Sequence, residues 1–164
     1  MTTAIEVRRA VQDDFPALWE IFHAVVAGGD TYVWEPATTR DEARRIFLDP
    51  PAIAFVACDA GRIVGVYVMK PNQPGLGNHV ATCGYMTHPQ TRRRGIASVM
   101  CIHSLDAARA QGYTAMQFNC VVASNTGAVK LWQKHGFAIA GRVPGAFRHA
   151  ARGPTDILIM HRAL

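Results

Sequence analysis

Hydrophobic positions along the chain switch between a period near two and a period near 3.6, which sets out strands and helices in turn. Ile5 to Arg9 alternates apolar and charged residues and predicts a first strand. Phe15, Leu18, Phe22 and Val25 recur at helical spacing, predicting a helix from Asp14 to about Val26 with Asp13 as its N-cap. Thr39 to Leu48 predicts a second helix, capped by Thr39 and stopped by Pro50 and Pro51. Ile53–Cys58 and Arg62–Met69 are β-rich runs around Asp59-Ala60-Gly61-Arg62, a hairpin signal. Val80–Thr87 reads as a further strand.

The segment from Arg94 to Gln111 is apolar around most of its circumference, with Ile96, Val99, Met100, Ile102, Leu105 and Ala108. It predicts a helix buried against a sheet and ended by Gly112. Ala115–Val122 is strand-like. Ser124 or Asn125 caps a helix that carries Ala128, Leu131, Trp132 and His135 and stops at Gly136, and Phe137–Val143 and Asp156–Arg162 close the chain as strands. The order β-α-α-β-β-β-α-β-α-β-β needs a crossover around Arg94–Gln111. The strands flanking that helix are therefore expected to be parallel within a mixed sheet. Gly28–Pro36, Pro71–Asn78 and Pro144–Pro154 read as loops.

Composition narrows the class. The chain has 164 residues with 49% hydrophobic and 18% charged, which suits one ordered domain spanning 1–164 and excludes disorder. No repeat or Pro/Ser-rich linker divides it. The net charge of +5 favours an anionic partner. No apolar run approaches the ~18 residues of a membrane span, and no secretory leader is visible, so the expectation is a cytoplasmic protein without a membrane partner. Cys58, Cys83, Cys101 and Cys120 are scattered without metal spacing, so they read as buried thiols and no metal is expected.

The chemistry concentrates in Tyr85 to Ser98, Y-M-T-H-P-Q-T-R-R-R-G-I-A-S. Arg92, Arg93 and Arg94 sit at a helix N-terminus, where the peptide dipole disfavours each cation by about 0.3–1 kcal/mol. A bound phosphate offsets that cost, because a helix N-terminus already offers free N–H groups. Gly95 and Ala97 would let the backbone approach it. Neither G-x-x-x-x-G-K-[ST] nor G-x-G-x-x-G occurs, which excludes two common phosphate cradles.

The remaining pattern, Arg92-Arg-Arg-Gly95-Ile-Ala97 after a strand, resembles the acyl-CoA-binding motif of the GNAT superfamily of N-acetyltransferases. Ser124-Asn125-x-x-Ala128-x-x-Leu131-Trp132-x-x-x-Gly136-Phe137, about thirty residues on, is similar to that family's second motif. The resemblance implies an α/β (α+β) fold: a mixed, centrally splayed sheet of about seven strands flanked by four helices. It implies acetyl-CoA as acyl donor and direct transfer to an amine through a tetrahedral intermediate. Arg92, Arg93, Arg94, Gly95, Ile96, Ala97 and Ser98 would hold the pyrophosphate. Met86 and Thr87 would pair by main chain with the pantetheine, and Asn125, Ala128 and Trp132 would flank it. A backbone N–H near Tyr85–Thr87 would polarise the thioester carbonyl.

Trp132 stands where many family members carry a tyrosine that protonates the leaving thiolate. Indole N–H is far too weak an acid for that role, so packing is the reading favoured for Trp132. Glu35, Asp156, His79, His149 and Tyr85 are all candidates for the general base. Tyr32, Trp34 and Glu35 gather aromatics and a carboxylate where the family covers its acceptor, suiting a small cationic or zwitterionic amine. The stretch around Asn119 resembles fungal amino-acid N-acetyltransferases and bacterial relatives, in which an Asn at this place faces the substrate. A second such Asn falls at Thr82 here. Asn119, expected to be buried, either contacts the acceptor or braces the splayed strands, and Arg142, Arg148 or His149 would meet a carboxylate.

The expected function is N-acetylation of a small molecule, with an amino acid among the options. A protein N-terminal or lysine acetyltransferase and a non-catalytic CoA-binding regulator are the alternatives, and a homodimer stays open. Nucleic acid is disfavoured as partner, because the arginines cluster at one helix start with no aromatic platform.

Overall fold

The computed structural model describes residues 5–91 and 94–164. Within them, β1 (Glu6–Arg9) is followed by α1 (Phe15–Val26), α2 (Arg40–Leu48), β2 (Ile53–Asp59), β3 (Arg62–Pro71) and β4 (Val80–Thr87). Then come α3 (Ile96–Ala110), β5 (Ala115–Val122), α4 (Thr126–Lys134), β6 (Ala138–His149) and β7 (Gly153–Ala163). The strands form one sheet in the order β1-β2-β3-β4-β5-β7-β6. The helix and strand order read from the sequence is the order observed.

Two cores sandwich the sheet. Phe15, Leu18, Ile21 and Phe22 of α1 pack with Phe47 of α2 on one face, over Val56, Val66 and Met86. On the other face Ile96, Met100 and Leu105 of α3 lie on Tyr67, Ala81, Met116 and Phe118, extended by Trp132 and Phe137. Gly65 lets α3 sit this close: a Cβ there would lie 3.0 Å from both Ile96 and Met100. The thiols read as core groups lie free, with Cys58 and Cys101 buried and Cys83 and Cys120 half-buried.

Local signals held at several ends. Thr39 caps α2, and Glu42 returns a carboxylate oxygen to the Thr39 N–H at 2.7 Å. At the first helix the expected Asp13 cap is replaced by a short 3₁₀ turn. Asp14 is buried there, accepting from Arg8 at 2.7 Å and from the Val11 N–H at 2.8 Å. Strands β6 and β7 run well beyond the predicted Phe137–Val143 and Asp156–Arg162. The stretch read as a loop at Pro144 is strand, with a register break between Val143 and Phe147. Proline is tolerated because β6 is an edge strand.

Among the described residues only β4 and β5 pair in parallel, and only at Val80–Ala115 and Ala81–Met116. Beyond that point the strands part. A register shift between Phe118 and Val121 inserts an extra residue in β5 against β7, which bends β5 away. At the far end the Ala150 N–H donates to the Gly29 carbonyl at 2.9 Å, tying the β6–β7 turn to the loop after α1. The gap between the sheet halves is therefore bounded at both ends.

Candidate active site

Two cavities of about 500 and 550 Å³ open from this gap and share the walls formed by Tyr32, Tyr85, Met86, Asn125, Ala128 and Trp132. One runs to the start of α3, where Gly95, Ile96, Ala97 and Ser98 line it. The other runs beneath α2 and the Thr31–Trp34 loop, past Thr82 and Asn119.

The first helical bond of α3 runs from the Val99 N–H to the Gly95 carbonyl, so the N–H groups of Ile96, Ala97 and Ser98 have no intrahelical acceptor. They face a cavity at the positive end of a 15-residue helix. Gly95 holds φ +75°, and a Cβ there would meet no protein atom. Its requirement is the left-handed turn that starts the helix, while the open space leaves room for a ligand. These groups fit a phosphate-bearing donor. Ser98 Oγ is 2.7 Å from His135 Nε2, and burial pushes the His135 pKa down, helped by Lys134 and Arg162 nearby. Arg94 is not free for phosphate as the sequence suggested: its guanidinium pairs with Asp59 at 2.6 Å. Arg92 and Arg93 lie outside the described residues.

Strand register decides which β4 groups face the gap. The His88 N–H donates to Val64 and the Asn72 N–H to the Val80 carbonyl, so the alternate residues Thr82, Gly84 and Met86 turn their main-chain groups to β3. Those of Cys83, Tyr85 and Thr87 turn to the gap. This corrects the main-chain role assigned to Met86, whose side chain instead packs under α1. Thr87 keeps both groups available. The Tyr85 carbonyl accepts from the Tyr32 hydroxyl at 2.5 Å, which leaves the Tyr85 N–H facing the junction of the cavities.

The Tyr85 side chain is not a base. Its hydroxyl points into the core and bonds Ser104 Oγ at 2.7 Å, and burial holds its pKa well above the usual phenol range. Glu35 is exposed and lies outside both cavity walls, while Tyr32 and Trp34 line the second cavity. Asp156 is held below the usual carboxylate range by the Gly145 N–H and by Arg142, and it lines neither cavity. His79, Arg142, Arg148 and His149 are also absent from the walls. Arg142 is paired with Asp156 at 2.7 Å, and His149 Nδ1 accepts from the Ala151 N–H.

Thr82 and Asn119 do meet on one wall. Asn119 is exposed, contrary to the buried amide expected. Its Nδ2 donates to Asn72 Oδ1 at 2.5 Å across the gap, and its Oδ1 accepts from Gln117 at 2.9 Å. Asn125 Oδ1 caps α4 by accepting from the Ala128 N–H at 3.3 Å, which leaves its amide N–H₂ for the cavities. Trp132 is buried against Tyr85 and Phe118, with ring centroids 4.8 and 5.0 Å away.

Sequence reasoning missed Arg45, Asp49 and Lys70 at the outer end of the second cavity and Asp30 on the first. Nothing in their spacing marks them, since they read as ordinary surface charges. Gly84 carried a usable signal, because glycine inside a strand marks a close approach. The Tyr32 hydroxyl lies 3.5 Å from where its Cβ would stand. Among the described residues, no cluster of three or more His, Cys, Asp or Glu is placed to hold a metal, and no helix is long and apolar enough to cross a membrane.

A split seven-stranded sheet with a helix start aimed into the split frames the site. Residues 7–137 match the model of the Acetyltransferase (GNAT) family, and the chain belongs to that family. N-acetyltransferase aca1 of Schizosaccharomyces pombe is 28% identical over 136 residues, 73% of this chain. The match spans 65% of that relative's length. A GCN5-related N-acetyltransferase from Kribbella flavida superposes with a TM-score of 0.94 at 41% identity over 98% of each chain. A GNAT-superfamily phosphinothricin acetyltransferase from Sinorhizobium meliloti, solved in complex with acetyl-CoA, shares the fold at a TM-score of 0.87 and 20% identity, covering 100% of this chain and 89% of that one.

Proposed function

We propose that the chain is an acetyl-CoA-dependent N-acetyltransferase that passes the acetyl group directly to a primary or secondary amine of a small molecule. The observation that carries this reading is the gap between β4 and β5. Its two cavities meet at Tyr85 and Trp132, one ending on the free N–H groups of α3 and the other at a charged mouth. The free N–H groups of Ile96, Ala97 and Ser98 would bind the donor's pyrophosphate. Thr87 would bind its pantetheine arm by main chain, and the Asn125 amide would flank it. The donor supplies an activated acyl group. The Tyr85 N–H, held in place by the Tyr32 clamp on the same residue, faces the point where a carbonyl oxygen gains charge.

No carboxylate or histidine of the described residues lines the walls that the two cavities share. The acceptor amine therefore reacts in its neutral form, and its proton leaves through water. Trp132 packs the junction against Tyr85 and Phe118, and its indole offers no phenolic acid to the leaving thiol. The same reading takes 1–164 as a single acyltransferase domain of the reducing cytoplasm, supported by four unpaired cysteines.

The test is a panel of amines, amino acids and short peptides with acetyl-CoA, read as free thiol and as acetylated product. Turnover with small amines supports the reading, and turnover confined to peptides moves the acceptor to a protein. Tight acetyl-CoA binding without turnover on any member makes the chain a CoA-binding regulator. Light scattering on the same sample decides between monomer and homodimer.

A further inference from the structure

We propose that Lys70 and Arg45 form an anion subsite at the outer end of the acceptor-side cavity, selecting amines that also carry a negatively charged group such as a carboxylate. This rests on the acetyltransferase reading and names its acceptor class.

Lys70 is the penultimate residue of β3 and stands opposite Thr82 of β4. The two-residue period puts it on the same face as Val66 and Val68, which pack with α1 and α2. Lys70 lies just beyond that apolar cover, exposed, where the cavity opens. Arg45 comes from the last turn of α2 and reaches the same cavity from the opposite wall.

What singles out these two residues is their place on the cavity wall rather than at a paired position. Arg8 is neutralised by Asp14, Arg94 by Asp59 and Arg142 by Asp156. Neither Lys70 nor Arg45 lies within 4.0 Å of a carboxylate among the described residues, although Glu42 of the same helix is near enough to Arg45 for its own carboxyl to be stabilised, and Asp49 is the one carboxylate on the described wall of this cavity. The mouth therefore carries excess positive charge. Neutral donors adjoin it: the Thr82 hydroxyl on β4 and the Asn119 amide on β5. Cations flanked by such donors bind a carboxylate by charge-assisted hydrogen bonds.

The opposite polarity is missing at the inner end. Tyr32, Tyr85, Met86, Asn125, Ala128 and Trp132 offer no carboxylate to hold an ammonium there. Thr82 lies three residues from Tyr85, about 10 Å along an extended strand. The flexible four-carbon stem of Lys70 shortens that span for a small acceptor. An amino acid would thus enter amine first, with its charged group left at Lys70 and Arg45. A polyamine would meet repulsion at the mouth. The arginines expected from sequence to meet a carboxylate, Arg142 and Arg148, play no part in this wall.

The experiment compares α-amino acids with their carboxamides as acceptors, each kcat/KM divided by the fraction of neutral amine at the assay pH. The acid should be preferred, and raising the salt concentration should shrink the preference. Lys70→Met should cut the acid-over-carboxamide ratio about tenfold, the order expected for one lost charge-assisted hydrogen bond at a partly open site. Arg45→Met should act in the same direction, and Lys70→Arg should restore the ratio. Affinity for N-acetyl amino acids, measured by calorimetry with CoA present, gives a readout independent of turnover and should fall with Lys70→Met. Turnover with equal use of acid and carboxamide, or a ratio unmoved by Lys70→Met, overturns the subsite and leaves the acetyltransferase reading standing. Failure of N-acetyl amino acids to bind beside CoA also overturns it. Loss of acetyl-CoA binding altogether would instead sink the acetyltransferase reading.

Discussion

The Tyr32 hydroxyl donates to the main-chain carbonyl of Tyr85 at 2.5 Å, joining residues 53 positions apart in the chain. This bond fastens the loop after α1 to the splayed edge of β4, at the wall the two cavities share. Burial raises the Tyr32 pKa well above the phenol range, so the hydroxyl keeps its proton and its donor role through neutral and moderately basic pH. Tyr32→Phe removes the donor and little else. The expected loss is about 1–2 kcal/mol of stability, or roughly 2–8 °C in Tm for a domain of this size. KM for the acceptor should rise more than the affinity for acetyl-CoA falls, because the loop covers the acceptor side. Equal effects on both ligands would place the clamp on the donor side.

Gly95 is tested by two substitutions. Its φ of +75° strains any L side chain, by about 1–2 kcal/mol in the left-handed region, but least for Asn. Gly95→Val should weaken acetyl-CoA binding in calorimetry more than Gly95→Asn does. An unchanged affinity in the Val variant would show that the donor phosphates bind elsewhere.

Asn119 and Asn72 bridge the two halves of the sheet through their side chains. Because Asn119 is exposed, Asn119→Ala should cost little in melting temperature, within about 0.5 kcal/mol. A role in acceptor binding would show as a roughly 5- to 150-fold lower kcat/KM for the amine, from about 1–3 kcal/mol, with acetyl-CoA affinity held. If Asn72→Ala gave the same loss, the bridge as a whole would be the functional unit. A large drop in Tm with kinetics intact would make Asn119 a brace for the splay.

Thiol chemistry gives a test of direct transfer. Burial pushes the thiol pKa up at Cys83 and Cys120, the two cysteines that line the acceptor-side cavity. Both stay protonated at pH 7–8 and are poor nucleophiles there. Mass spectrometry after mixing with acetyl-CoA should find no acetyl group on the protein, and Cys83→Ala and Cys120→Ala should each retain turnover. A stable acetyl adduct on either residue would refute direct attack.

Acid stability should depend on Asp14. Arg8 and the Val11 N–H hold its carboxyl below the ordinary value of 3.8, so its contribution is complete above that value. The contribution fades as pH falls through the lowered folded value. In Asp14→Asn, stability at pH 7 should fall while the acid-induced loss flattens. A variant with the same acid limb as the parent would remove Asp14 from the account.

Much of the fold was legible because it rests on local signals. Thr39 followed by Glu42, Gly112 after the long apolar helix, and Asn125 before Ala128 each set a helix end through contacts within a few residues. The strands of β4 and β5 were legible from alternation, and their parallel pairing from the helix between them. The extensions of β6 and β7 were not. Their pairing partner is the other strand, so the run through Pro144 and Gly145 is strand only once β7 lies beside it.

The site divides the same way. Thr87 and Gly95–Ser98, the groups proposed to hold the donor, could be read because they are near-consecutive main-chain groups whose spacing is covalent. Thr82, Asn119 and Trp34 were also reached, and the cavity wall gathers them. Glu35 was not separable from Trp34 by spacing: both are exposed, and only the path of the loop sets Trp34 on the cavity wall and Glu35 off it. Arg94 looked free in sequence because Asp59, its partner, lies 35 positions away across the β2–β3 turn.

The sequence by itself therefore determined the order of elements, the helix start that faces the gap and the family, since all three depend on periodicity and on residues covalently near one another. Tertiary structure alone decided which β4 carbonyls and N–H groups face the gap, that Tyr85 turns its hydroxyl into the core, and that Lys70 and Arg45 share a mouth. Those relations depend on strand register and on the packing of distant segments. A shift of one residue in either would reverse every side chain it touches without changing the pattern from which the elements were read.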